Sequence, residues 1–104
     1  MGCTVITRDD AIRIAEEFLR EVYPHESRPV AIAESATVEK PYGWLFVYDT
    51  AEALRTGEPG LVGNGPLLVR REDGRIIEFS SFYTSASALE AYEEDPAGFQ
   101  PTAG

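Results

Sequence analysis

The sequence contains little of what most catalytic and metal-binding proteins depend on. It has one cysteine, Cys3, and one histidine, His25, among 104 residues. A single cysteine forms neither an internal disulfide nor a thiolate zinc site, so we expect a reducing, cytoplasmic location. Zinc usually takes three or four His, Cys or carboxylate ligands, and His25 stands in a polar segment away from such a set. The sequence therefore predicts no bound metal, no other cofactor and no Cys–His catalytic pair.

Positive charge and long apolar runs are also scarce. The chain has 18 acidic and 9 basic residues, a formal net charge of −9. Nucleic acids and anionic membranes attract Lys- and Arg-rich surfaces, so this balance argues against both as partners. No apolar run reaches the roughly 20 residues that cross a bilayer, and the N-terminus lacks the pattern of a secretory signal. The general explanation of the acidity is solubility; the more specific one is an acidic surface that steers a basic partner.

What is present is the composition of one globular domain. Hydrophobic residues make up 43% of the chain and aromatic residues 11%, enough for a packed core. We expect residues 1–104 to form a single domain, with an ordered core over about residues 7–96 and flexible tails. The expected core residues include Phe18, Trp44, Phe46, Leu68, Val69 and Ile77.

The residue pattern predicts an α+β fold. Thr7 is a suitable helix cap, and apolar residues recur every three or four positions until Pro24, which indicates an amphipathic helix. Asp73-Gly74 between two apolar runs is typical of a β-hairpin. A shorter helix is expected to begin after Thr84 or Ser85 and to end at Pro96. The N-terminal helix is therefore predicted to pack on an antiparallel sheet of about four strands, drawn from residues 30–38, 44–48, 67–71 and 75–79, with the helix covering one side of strand 44–48.

The segment Gly63-Asn64-Gly65-Pro66 is unusually rich in turn-forming residues. A phosphate-binding loop would need a helix N-terminus after the glycines and usually a lysine, whereas Pro66 and a strand follow here. We therefore interpret the segment as a turn in which Asn64 and Gly65 adopt positive φ.

Acidic residues provide the remaining candidates for a site. The adjacent pairs at 9–10, 16–17 and 93–94 do not suit glycosidase chemistry, because neighbouring residues on a helix point away from each other. No nucleophile, base and oxyanion donor occur together, so no catalytic residue is predicted. The cluster Glu90, Glu93, Glu94 and Asp95 is different, because acids near a helix C-terminus oppose the helix dipole. This small cost suggests these four as candidate partner-binding residues, although acidic helix ends are also common on ordinary proteins.

Several motifs resemble those of the immunity protein 35 family, also called the YrhB family, of small bacterial proteins. The likeness rests on Tyr42-Gly43-Trp44-x-Phe46-x-Tyr48, on Gly63-Asn64-Gly65-Pro66-Leu67-Leu68-Val69, on Asp73-Gly74 and on Tyr92-Glu93. The resemblance implies a non-enzymatic binding protein that neutralises a cognate polymorphic toxin by direct association. A stress-related, chaperone-like role, described for another member, is the alternative. The identity of the toxin, the contact face and the oligomeric state are left open by these motifs.

Overall fold

A computed structural model describes residues 6–58, 60–61 and 65–101 and confirms the α+β fold. The helices are α1 (Arg8–Val22), α2 (Ala51–Thr56) and α3 (Ser85–Glu94). The strands are β1 (Val30–Ile32), β2 (Val38–Lys40), β3 (Gly43–Phe46), β4 (Tyr48–Thr50), β5 (Leu67–Arg70) and β6 (Ile76–Glu78). Short 3₁₀ turns occupy Glu34–Ala36 and Pro96–Gly98.

Local sequence signals, a capping threonine and a proline, mark the two ends of helix α1. The Thr7 hydroxyl accepts a hydrogen bond from the Asp10 backbone N–H, and the Asp10 carboxylate accepts one from the Thr7 N–H, each over 3.1 Å. This reciprocal capping box satisfies two N–H groups that the helix itself cannot pair. The helix stops at Tyr23, directly before Pro24, and buries Ala11, Ala15 and Leu19.

All strand pairs are antiparallel. A four-stranded sheet has the order β2-β3-β5-β6, and β1 pairs with β4 in a second sheet of two strands. In the larger sheet Trp44 lies opposite Val69, and Leu68 lies opposite Ile77. Because successive side chains of a strand point to opposite faces, Trp44 and Phe46 share one face while Leu45 lies on the other.

Helices cover both faces of the larger sheet: α1 lies on one face, as predicted, and α3 lies on the other. On the first face Trp44, Phe46 and Val69 pack with Ala11, Ala15 and Leu19 of α1. On the second face Leu45, Leu68 and Ile77 pack with Ala88, Leu89 and Tyr92 of α3. Strand β3 is apolar at every position because neither of its faces meets solvent. Of the predicted core residues, five are buried, and Phe18 is partly buried against the first cluster.

Trp44 is 1% exposed, which confirms its core role. The guanidinium of Arg71 lies over its ring, 4.3 Å from the ring centroid. Arg71 also donates hydrogen bonds to the carbonyl oxygens of Pro41 and Lys40, at 3.0 and 2.9 Å. The turn between β2 and β3 is thereby held over the indole. Within the part of the chain that the structure describes, Trp44 Nε1 has no hydrogen-bond partner.

The strand predicted over residues 30–38 is interrupted. Ile32 pairs with Tyr48 and Val38 with Leu45, so residues 33–37 face only residues 46–47 of the opposite strand. The excess residues curl into the 3₁₀ turn, where the Thr37 N–H donates to the Glu34 carbonyl. The alternating pattern of this segment was compatible with a strand, but the unequal lengths of the two sides exclude a continuous ladder.

The positive φ predicted at Asn64 lies outside the described residues, and that at Gly65, whose φ angle involves the backbone of Asn64, stays a prediction. Gly65 is needed for a steric reason. A Cβ atom at this position would overlap the carbonyl oxygens of Phe79 and Ser80, because the backbone of the segment passes directly against the end of β6. The expected hairpin at Asp73-Gly74 is confirmed between β5 and β6.

Candidate partner-binding surface

Helix α3 presents an acidic face to solvent. Its N-terminus is fixed by a second capping box, in which Thr84 Oγ1 accepts from the Ser87 N–H over 3.1 Å. Ala88, Leu89 and Tyr92 hold the helix on the sheet. The exposed positions of the helix recur every three or four residues and therefore form one stripe, which consists of Ala86, Glu90, Glu93 and Glu94 and is followed by the exposed Asp95.

Of the four predicted partner-binding residues, Glu93 alone among the described residues is tied to another part of the fold. The Tyr42 hydroxyl donates to Glu93 Oε2 over 2.6 Å, and Lys40 Nζ lies 3.5 Å from the same oxygen. The hydrogen bond from Tyr42, with the nearby charge of Lys40, lowers the pKa of Glu93. Burial, together with Glu93, raises the pKa of Tyr42. Glu93 thus joins α3 to the β2–β3 turn, a role that the sequence analysis did not detect.

This contact makes a pH-dependent contribution to stability that can be tested. A lowered pKa means that folding favours ionised Glu93, so the stabilisation is present at neutral pH and lost as the pH falls through the folded-state pKa. Tyr42→Phe is therefore expected to lower the urea midpoint at pH 7, and the gap from wild type should close towards about pH 3. Tyr83→Phe is the matched control, because its hydroxyl makes no contact with a carboxylate in the described part of the chain. If the difference in urea midpoint between wild type and Tyr42→Phe stayed constant with pH, the stabilising contact between Tyr42 and ionised Glu93 would be contradicted.

Aromatic rings surround the base of α3. Phe79 lies 5.1 Å from Phe99 and 5.4 Å from Tyr83, measured between ring centroids. Tyr92 lies 5.0 Å from Tyr42 and 6.2 Å from Phe99. The rings are tilted or edge-on to one another, as favourable aromatic pairs are. Phe99 attaches the segment after α3 to this cluster, so the chain is packed against the sheet on both sides of the C-terminal acids.

One aromatic residue stays outside this cluster. Phe82 stands between Phe79 and Tyr83 in the β6–α3 turn, yet its side chain is 94% exposed. The sequence analysis did not single it out. The available signal was a phenylalanine placed after Ser80-Ser81, in a stretch where hydroxyl-bearing residues indicate a turn.

Of the cysteine and the histidine considered in the sequence analysis, Cys3 lies outside the described residues. His25 is exposed, and its neighbour Glu26 forms a two-bond ion pair with Arg28 at 2.9 and 3.0 Å. The hydrogen bonds from Arg28 lower the pKa of Glu26 to about 2. A cavity of about 360 Å³ adjoins this pair, lined also by Arg20 and Tyr23 of the α1 end. Its charged groups are engaged with each other or open to water, an arrangement typical of a solvated cleft.

The described residues contain no group of three or more His, Cys, Asp or Glu side chains that could hold a metal ion. Within the same residues, no helix is both long and apolar enough to cross a bilayer. The candidate partner-binding surface consists of the β6–α3 turn and the acidic stripe of α3.

The profile of the family described as Immunity protein 35 matches residues 9–95. The matched span takes in both sheets, the β6–α3 turn and the four acids at the end of α3. No curated protein and no solved structure matches the chain.

Proposed function

The chain belongs to the immunity protein 35 family, and from this premise we propose that it neutralises a cognate bacterial toxin by binding it directly, without catalysis. An immunity family implies a toxin protein as partner. The family match is the observation on which the proposal depends. The single cysteine and the acidic balance support a cytoplasmic complex formed between two proteins, with no role for nucleic acid or membrane.

The charge distribution supports the C-terminal acids as part of the contact. Residues 76–104 include Glu78, Glu90, Glu93, Glu94 and Asp95 but no Lys, Arg or His. Glu90, Glu94 and Asp95 are exposed and make no ion pair within the described residues. A surface of one sign attracts a partner of the opposite sign and accelerates its association. We therefore place a basic surface of the toxin against this stripe, with Glu93 fixing the stripe to the sheet.

The alternative, a chaperone-like role, receives less support. It would require a continuous exposed apolar surface for unfolded clients. The large apolar side chains exposed in the described part are Val22, Leu54 and Phe82, which lie on separate elements. Failure to suppress the aggregation of a heated client at equal concentration would count against this role.

A rescue experiment tests the proposed function. The proposal requires a toxin gene near the gene of this chain, and the toxin-like domain that it encodes is expressed in a bacterial host with and without the chain. We expect the host to survive only with the chain, and the two proteins to co-purify as a stable complex. Continued killing despite abundant folded protein would overturn direct neutralisation.

Charge reversal tests the contact face. Glu90→Lys with Glu94→Lys is expected to slow association with the toxin about tenfold at low salt, because electrostatic steering acts on the association rate. The stability of the fold should be unchanged, because positive charge near a helix C-terminus interacts favourably with the helix dipole. The matched control is Glu17→Lys with Glu21→Lys, which makes the same change of net charge at exposed positions of α1. Equal slowing in both variants, measured by stopped flow, would show that only net charge matters and would remove the stripe from the contact.

A further inference from the structure

We infer that Phe82 is the apolar anchor of the toxin contact and enters an apolar pocket of the partner that has a basic rim. The inference rests on the proposed function and adds the chemistry of the partner's surface to it. The exposure of this side chain is the observation that carries it.

The Phe82 ring lies almost entirely in solvent. Its side chain is 94% exposed, whereas Val22 and Leu54, the other large apolar residues that are exposed in the described part of the chain, are 40% and 39% exposed. Its neighbours Phe79 and Tyr83 both pack into the aromatic cluster, where their rings meet at 5.4 Å. Aromatic side chains are prominent among residues that dominate binding energy, because they remove a large apolar area from water.

The turn that displays Phe82 is already ordered without a partner. The Tyr83 N–H donates to the Ser80 carbonyl over 3.1 Å, and the Phe82 N–H donates to Ser80 Oγ over 3.3 Å. Buried Phe79 precedes the turn, and the Thr84 capping box follows it. Since the backbone is held on both sides, binding needs to order little more than the two χ angles of one side chain. A preorganised anchor loses less conformational entropy on association.

The surrounding charge identifies the partner's chemistry. The turn leads directly into α3, which is about 15 Å long for ten residues, so the ring and the acids at 90–95 fit within one interface of about 800 Å² per partner. A partner that accepts Phe82 and also covers α3 would thus place basic groups opposite Glu90 and Glu94. A second copy of this chain is a poor occupant. A two-fold interface would bring the same acidic surface against itself, and like charges oppose such contact.

The test measures binding of the purified full chain to the toxin-like domain encoded beside it. Phe82→Ala is expected to weaken the complex about 30-fold or more, mainly through faster dissociation, with the salt dependence of association unchanged. Leu54→Ala, an apolar truncation on α2, is the matched control and should leave affinity within about twofold. Thermal unfolding of both variants should match wild type, since neither side chain belongs to the buried clusters.

Each contrary outcome is distinct. If wild type and Phe82→Ala bind the toxin equally well, Phe82 is not the anchor, and the proposed function is unaffected. Wild type that does not bind would overturn the proposed function, and the anchor with it. Concentration-dependent dimerisation of wild type that Phe82→Ala abolishes, seen by sedimentation, would assign the ring to a second copy and refute the inference.

Discussion

Replacing Trp44 with alanine is expected to lower the free energy of unfolding by about 3–5 kcal/mol. The indole is 1% exposed and packs between the larger sheet and α1, with Arg71 over its ring. Truncation removes this apolar contact and leaves a cavity that the paired strands on both sides of β3 cannot close. The loss is a large fraction of the roughly 5–15 kcal/mol by which domains are usually stable.

The control is Trp44→Phe. It keeps an aromatic ring in the core and removes an indole N–H that has no partner within the described residues. Burying an unpaired donor costs about 1–3 kcal/mol, so removal of the N–H offsets part of the stability that the smaller phenylalanine ring loses in packing. We expect Trp44→Phe to lower the free energy of unfolding by less than half as much as Trp44→Ala. Urea unfolding should be followed by far-UV circular dichroism, because Trp44 is the only tryptophan and both variants lose its fluorescence. Equal losses in both variants would contradict the packing role of the ring.

Gly43→Ala is the second substitution with a large expected effect, about 3 kcal/mol or more. Gly43 has φ of +156°, which L side chains rarely adopt, and a Cβ atom there would overlap the carbonyl oxygen of Val69. That carbonyl belongs to β5, whose pairing with β3 and β6 leaves it no room to move. Strain and overlap therefore act together at the centre of the sheet.

Gly57→Ala separates the two causes. Gly57 ends α2 with φ of +85°, and nothing lies within 4 Å of the position that a Cβ would occupy. The left-handed conformation alone should cost about 1–2 kcal/mol. Chemical denaturation of the two variants gives the comparison. If Gly43→Ala lowered the free energy of unfolding no more than Gly57→Ala does, the overlap with the Val69 carbonyl would make no contribution.

Much of the fold could be predicted because its determinants are short stretches of chain. Thr7 and Thr84 begin helices, Pro24 and Pro96 stand just after their ends, and Asp73-Gly74 turns a hairpin. Caps and turns depend on hydrogen bonds between residues two to four apart, so each can be recognised from its own neighbourhood. The interrupted strand at 34–36 could not, since the break arises from a mismatch with residues 46–47.

The candidate site was predictable only in its charge. Glu90, Glu94 and Asp95 could be named as exposed acids because their residue type and their place near a helix end suffice for that. The tie between Glu93 and Tyr42 joins positions 51 residues apart in the chain, and no local pattern encodes such a contact. Phe82 was missed for a related reason, since phenylalanine in a sequence predicts burial and only the packed structure shows which rings find room.

The sequence by itself determined the α+β class, the helix ends, the family and the acidic C-terminal quarter, because composition, periodicity and caps are local properties of the chain. The tertiary structure decided that α3 closes the second face of the sheet, that Glu93 holds α3 to the β2–β3 turn, and that Phe82 remains in solvent while Phe79 and Tyr83 are packed. These outcomes depend on the volume and the hydrogen-bonding groups that distant segments bring together, and they exist only once the chain has packed.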